Sequence, residues 1–298
     1  MLHFNFWFLY LATPVLMLFL LNIAGEKINR VSLVNIVTLS IYAFSIVGTM
    51  PLFYHLDDYR LDTGVVDENL IFKILILSSM NIIFLLIGVI FSRRVLCVKS
   101  ENRIHTIERL GHKQIISLFA LFIISLITVF LYISKLDSVA LLVALTSGVK
   151  EAGVSRSQMG NDFSGKYHWY RLLMHDISQL VAFILFANWL VYKSKRLLIY
   201  LTGALLLASF NAIISTEKGP MAWFLVGLFF VYILVKKNGT ISIRPALKFA
   251  AVLVVSLVLM YIYFMNSSDP LSAFLSILSR SITGQITTAY FYIQYFYS

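Results

Sequence analysis

The residues of this chain best suited to chemistry are a few cations, one carboxylate and two histidines, all in short polar stretches between apolar runs. Ser215-Thr216-Glu217-Lys218-Gly219-Pro220 separates LLIYLTGALLLASFNAII from MAWFLVGLFFVYILV. Pro220 fits the first position of the helix that follows, where its missing N–H costs nothing, and Gly219 frees the backbone just before it. A helix start of this kind aims unpaired N–H groups and the positive end of the dipole at an anion, and Lys218 adds a full charge. Glu217 has two roles open. It can take a proton from a hydroxyl, or pair with Lys218, and pairing is the expectation. The plainer alternative is a Lys218 that snorkels to lipid headgroups beside a Gly-Pro bend.

Two further stretches carry arginine beside glycine in the pattern R-S-x-x-G: Arg156-Ser157-Gln158-Met159-Gly160 and Arg280-Ser281-Ile282-Thr283-Gly284. Glycine permits close backbone approach to a ligand. His168, Arg171, His175 and Gln179 step by three or four residues, so a regular helix presents them as one polar stripe, with Asp176 beside it. Ionisable groups near the apolar core of a membrane protein face protein or a water-filled cavity, and His168, His175, Gly160 and Gly284 are expected to line one. Metal chemistry is not expected, because the two histidines lack a carboxylate ligand at metal-binding spacing. The acids of His55-Leu56-Asp57-Asp58 read as a solvated loop. The one cysteine, Cys97, excludes an internal disulfide framework.

These residues need helices to hold them, and the composition says of what kind. Of 298 residues, 59% are hydrophobic and 13% charged, with mean hydropathy +0.85. The class is therefore an all-α polytopic membrane protein. Apolar windows long enough to cross a hydrocarbon core of about 30 Å lie near 4–24, 31–54, 70–91, 114–134, 169–192, 197–216, 220–235 and 248–265. With the final run ITTAYFYIQYFYS this makes eight or nine spans in one integral domain, 1–298. That last run stops without a charged flank, as a chain cut inside a helix does, and C-terminal truncation is the expectation. The N-terminus has neither a basic flank nor a small-x-small cleavage site, so the first span reads as a retained helix.

The net charge of +10 is sorted by connector and does not point to nucleic acid. Lys27 and Arg30, then Arg93, Arg94, Lys99, Arg103, Arg109 and Lys113, then Lys193, Lys195 and Arg196, then Lys236, Lys237, Arg244 and Lys248 fall on alternate connectors. The positive-inside rule places these in the cytoplasm and the N-terminus outside. The outer loops are then near 55–69, 135–168, 215–220 and 266–285. Two of them are long enough for interfacial helices. Val139–Leu145 is apolar but too short to span, and reads as an interfacial or re-entrant helix. A helix opening at Asp269-Pro270, with Asp as N-cap, carries Leu271, Phe274, Leu275, Leu278 and Ile282 on one face.

In layout and in several phrases the chain resembles the oligosaccharide repeat unit polymerases, the Wzy-type O-antigen polymerases. The phrases are GTMPLFYHLDDYRLDTG closing the second span, SRSQMGNDFSG before the HWYRLLMHD helix, TEKGPMAWFLVG, and SRSITGQ before the final aromatic helix. One described pattern, an arginine followed by ten residues and a glycine, is not met by Arg156 or Arg280. The resemblance implies a glycosyltransferase-type enzyme of a bacterial inner membrane. It would transfer a growing glycan from undecaprenyl pyrophosphate to the next lipid-linked repeat unit on the periplasmic side. Its partners would be that lipid-linked oligosaccharide, membrane lipids, and the chain-length regulator and flippase of the same route; no cofactor is implied. Arg156, Arg171, Lys218 and Arg280 would bind pyrophosphate, a task that suits arginine for its bidentate contacts. The arginines are expected to converge on one cavity. An O-antigen ligase, or a flippase or transporter of lipid-linked oligosaccharide, fits the same composition.

Overall fold

The computed structural model describes residues 1–95, 108–161, 166–265 and 269–297. Cys97, Lys99, Arg103, Asp162–Gly165 of the SRSQMGNDFSG phrase and the 266–268 part of the last outer loop lie outside the described residues. The protein is an all-α polytopic membrane protein, with no strand among the described residues. Among the described residues eight helices are long and apolar enough to span: Leu2–Ile23, Leu33–Phe53, Glu68–Val95, His112–Ile133, Tyr167–Tyr192, Lys195–Ile213, Lys218–Lys237 and Ile243–Tyr263. Their bounds fall within a few residues of the sequence expectation, because hydrocarbon leaves no water to satisfy backbone groups and each apolar run must close its own hydrogen bonds.

Local chemistry sets the ends. Ser32 caps the second span, accepting from Asn35 N–H at 3.1 Å. Lys193 and Asn238 close the fifth and seventh spans in the left-handed conformation, both with φ 50°, and the Lys193 ammonium rests 3.7 Å above the Trp189 ring centroid. Asp269 caps the helix Pro270–Leu278 as expected, accepting from Ser272 N–H at 3.2 Å. That helix leaves Leu271, Leu275 and Leu278 exposed.

Where the sequence reads as one integral domain, the fold groups into two compact units, 1–103 with 274–298, and 104–273. In the first unit Phe6 stacks on Phe53 at 3.9 Å between ring centroids, and Thr13 and Ser79 share a buried hydrogen bond of 2.9 Å. Among helices in lipid, where apolar burial gives little, such packing and polar contacts hold elements together. Tyr290 Oη accepts from Asp67 N–H at 3.0 Å, fixing the entry to the third span. Asp57 caps the short helix Asp58–Asp62 and accepts from Thr283 Oγ1 at 2.6 Å, so the acid-rich loop is structural in part.

In the second unit the fifth and sixth spans pack through Val181, Ala182 and Leu185 against Leu201, Ala204 and Ala208. The long loop before the fifth span folds into two helices, Ala140–Thr146 and Val149–Asn161. They are tied down by Tyr132 Oη donating to the Met159 carbonyl at 2.9 Å and by Leu141 N–H donating to the Ile214 carbonyl at 3.2 Å.

Among the described residues three π-helical turns interrupt the helices: Tyr42–Val47 inside the second span, Leu172–Asp176 inside the fifth, and Ser279–Thr283. Each is a local insertion into α-helical register, a feature that recurs at functional sites.

Candidate functional site

The turn at 214–217 is built differently from the sequence reading. The seventh span begins at Lys218, with Glu217 at the N-cap position, so Pro220 is the third helical residue and not the first. It fits there because none of the first four N–H groups has an intrahelical acceptor. Gly219 lies inside this first turn and frees nothing. The left-handed residue is Thr216, at φ 56° and 1% exposed. A β-branched residue in that region is an outlier that surrounding structure must hold, and such strain collects at functional sites. The exposed Glu217 makes no capping hydrogen bond with its side chain, so the first-turn N–H groups are not taken up by it.

Lys218 and Glu217 point to different neighbours. The Lys218 ammonium lies 3.4 Å from the centroid of the Tyr261 ring, itself 5% exposed, in a cation–π contact. Glu217 acts electrostatically on Tyr132 and Tyr167. Tyr167 also feels Arg171. Tyr132 stands 6.2 Å from Tyr167 and 6.1 Å from Tyr170 between ring centroids, and Lys135 Nζ sits 5.2 Å from the Tyr170 ring. This end of the second unit thus gathers an acid, an arginine, two lysines and four tyrosines. The tyrosines carried no signal in the sequence, since aromatic residues are frequent at the ends of spans.

The polar stripe of the fifth span does not survive as one face. His168 and Arg171 are exposed, while His175 is buried. The cause is the π turn Leu172–Asp176 between them: Ile177 N–H bonds the carbonyl of Leu172, five residues back. His175 remains within electrostatic reach of Arg171 and Asp176, but it packs inside and does not share their face.

Of the remaining expected residues, Arg156 and Gly160 belong to the helix before the fifth span and Arg280 and Gly284 to the first unit. Arg156 is half-buried on the helix Val149–Asn161, its Nη2 3.7 Å from where a Cβ on Gly153 would stand, so the guanidinium runs back along its own helix. Gly160 is helical and has open space where a side chain would go, so no close approach requires it. Arg280, exposed on the π turn Ser279–Thr283, belongs to the first unit, as does Gly284. Gly284 has a packing role there: a Cβ would meet Arg60 Nη2 at 3.0 Å. Of the nine expected residues, Glu217 and Arg171 act on Tyr167, His168 lies 6.4 Å from the Tyr167 ring between centroids, and Lys218 meets the Tyr261 ring. No group of three or more histidine, cysteine or acidic side chains suited to a metal occurs among the described residues. Set against protein-family models, curated proteins and solved structures, the chain matches none.

Proposed function

We propose that this chain lengthens a polysaccharide by joining oligosaccharide repeat units carried on undecaprenyl pyrophosphate, at the outer face of a bacterial inner membrane. The observation that carries the reading is that Tyr167 lies within electrostatic reach of both Glu217 and Arg171, so a carboxylate and a guanidinium share one neighbourhood at the start of the seventh span. The resemblance in TEKGPMAWFLVG and HWYRLLMHD falls on these same two segments and adds to it.

In this reaction a hydroxyl oxygen of the acceptor sugar attacks the anomeric carbon of the donor. The new C–O bond forms as the bond from that carbon to the pyrophosphate breaks, and the electron pair leaves with the lipid pyrophosphate. Glu217 would accept the hydroxyl proton, a role left open to it because Lys218 is engaged by the Tyr261 ring. Arg171, Lys218 and the first-turn N–H groups of the seventh span would stabilise the charge that gathers on the leaving group. The donor carries its energy in the pyrophosphate bond, so no nucleotide is consumed.

Electrophoresis of surface polysaccharide from a deletion strain tests the reading. Single repeats on the lipid core are expected, whereas loss of all repeats would identify a ligase and overturn it. On complementation, Glu217→Gln should reduce polymer by roughly 100-fold, the scale of a lost general base. Arg171→Lys should restore poorly where bidentate geometry matters. Tyr261→Leu should act in the same direction as Lys218→Gln. If inserted Lys218→Gln protein still makes full-length polymer, Lys218 is an anchor and the turn is only a turn.

A further inference from the structure

The π turn of the fifth span is held by a knot of polar side chains. Met174, on that turn, has its carbonyl engaged from two other spans: Asn211 Nδ2 donates to it at 2.7 Å and Ser125 Oγ at 3.2 Å. Asn211 also donates to Ser178 Oγ at 3.2 Å, and Ser178 Oγ donates in turn to the His175 carbonyl at 3.0 Å. Asn211 and Ser125 are 0% exposed. Asn211 Oδ1 finds no hydrogen-bond partner among the described residues. A buried asparagine with half its capacity unused is costly inside a membrane protein. What it returns is a donor for a carbonyl that helical irregularity at this depth must satisfy by other means.

The consequence reaches residues that Asn211 does not touch. A π turn accommodates one residue more than an α-helix over the same stretch, so everything before it is displaced by one register, about 100° and 1.5 Å. In regular register His168 and Arg171 would continue the face of His175, which is buried. In the observed register they are exposed. We infer that Asn211, aided by Ser125 and Ser178, is a positioning residue that selects the π turn and thereby sets the phase at which Arg171 and His168 are presented. The use of that phase in catalysis rests on the function proposed above; the phase itself does not.

The test is a phase measurement with a built-in rescue. Single cysteines replace His168, Tyr170 and Arg171 in a Cys97→Ser background, and a membrane-impermeant maleimide labels them in sealed vesicles of the full-length protein. Strong labelling is expected at the exposed 168 and 171 and weak labelling at the half-buried 170. In Asn211→Ala the turn relaxes to α-helix, 168 and 171 take the half-buried positions of 167 and 170, and strong labelling moves to 170, which takes the exposed position of 169. Deleting Leu173 in the Asn211→Ala protein removes the extra residue, so labelling should return to 168 and 171, an outcome that a general loss of stability does not produce. Labelling that stays at 168 and 171 in Asn211→Ala, or that is not restored by the deletion, overturns the inference. If Asn211→Ala does not accumulate, Ser125→Ala with and without the Leu173 deletion makes the same comparison. Polymer length is followed in parallel in the Asn211→Ala proteins, with and without the Leu173 deletion, that keep His168 and Arg171. A phase that moves and returns while polymer never changes leaves the positioning intact and removes the assigned site.

Discussion

Arg93 shows how much a single residue's role depends on a partner far away in the chain. By charge bias it is one of many basic residues that orient the protein, and the sequence assigns it nothing more. In the fold its guanidinium pairs with Glu26 and also donates to the Ala24 carbonyl. The Glu26 side chain is 7% exposed and that of Arg93 23%. Ser32, the cap of the second span, donates to the same carboxylate at 2.9 Å. One carboxylate therefore ties together the end of the first span, the start of the second and the end of the third. Arg93→Gln leaves Glu26 with a shielded, unpaired charge, a loss of about 3 kcal/mol for a pair buried in this way. Thermal unfolding in detergent is expected to show a lower midpoint for Arg93→Gln, partly regained in Arg93→Gln/Glu26→Gln. An unchanged midpoint in the single variant would return Arg93 to a purely topological role. The same limit on reading single residues explains the site. Lys218 and Glu217 are sequence neighbours and look like a pair, but a helix start sends adjacent side chains in different directions, and Tyr261 collects one of them.

At the scale of the element, the spans were legible and their irregularities were not. Length and hydropathy alone locate Leu2–Ile23 or His112–Ile133, because a membrane leaves an apolar run no alternative to a helix. Even the short pieces Ala140–Thr146 and Pro270–Leu278 announced themselves by length and by capping. The π turns did not, since periodicity arguments assume a constant 100° per residue and one inserted residue defeats them. Hence the stripe from His168 to Gln179 was read as one face and is two. Gly48 illustrates what such turns permit in the first unit. It ends the π turn Tyr42–Val47, and a Cβ there would collide with the Ile282 backbone carbonyl and stand 2.7 Å from Ile286 Cδ1. A backbone atom cannot step aside as a side chain can. Gly48→Ala is expected to cost about 1–3 kcal/mol, as overpacking does, and to lower the melting midpoint. Gly88→Ala, which meets nothing within 4 Å, serves as the control and should leave the midpoint unchanged.

For the whole molecule, orientation decides which chemistry is available. Counting the eight candidate spans of the described residues, Lys27, Lys193 and Lys237 fall on connectors of one parity and Lys135 and Glu217 on connectors of the other. The first set sits among basic residues, and by the positive-inside rule that side is expected to be cytoplasmic. The tyrosine cluster, with Glu217 and Arg171, would then open to the outside, the face at which the proposed reaction would take place. Reporters that are active only outside, fused after Lys135 and after Glu217, are expected to be active. The same reporters fused after Lys27, after Lys193 and after Lys237 are expected to be silent. Orientation is also the point at which the competing readings separate most cheaply. A transporter must open its polar site to both sides in turn, so Arg171→Cys would be labelled from either face in sealed vesicles of opposite orientation. A polymerase or ligase needs one face only, and Arg171→Cys should react from the outside alone. If the fusions reported the reverse pattern, Glu217 would stand in the cytoplasm, where no translocated donor is present, and the polymerase reading would fall whatever the geometry of the site.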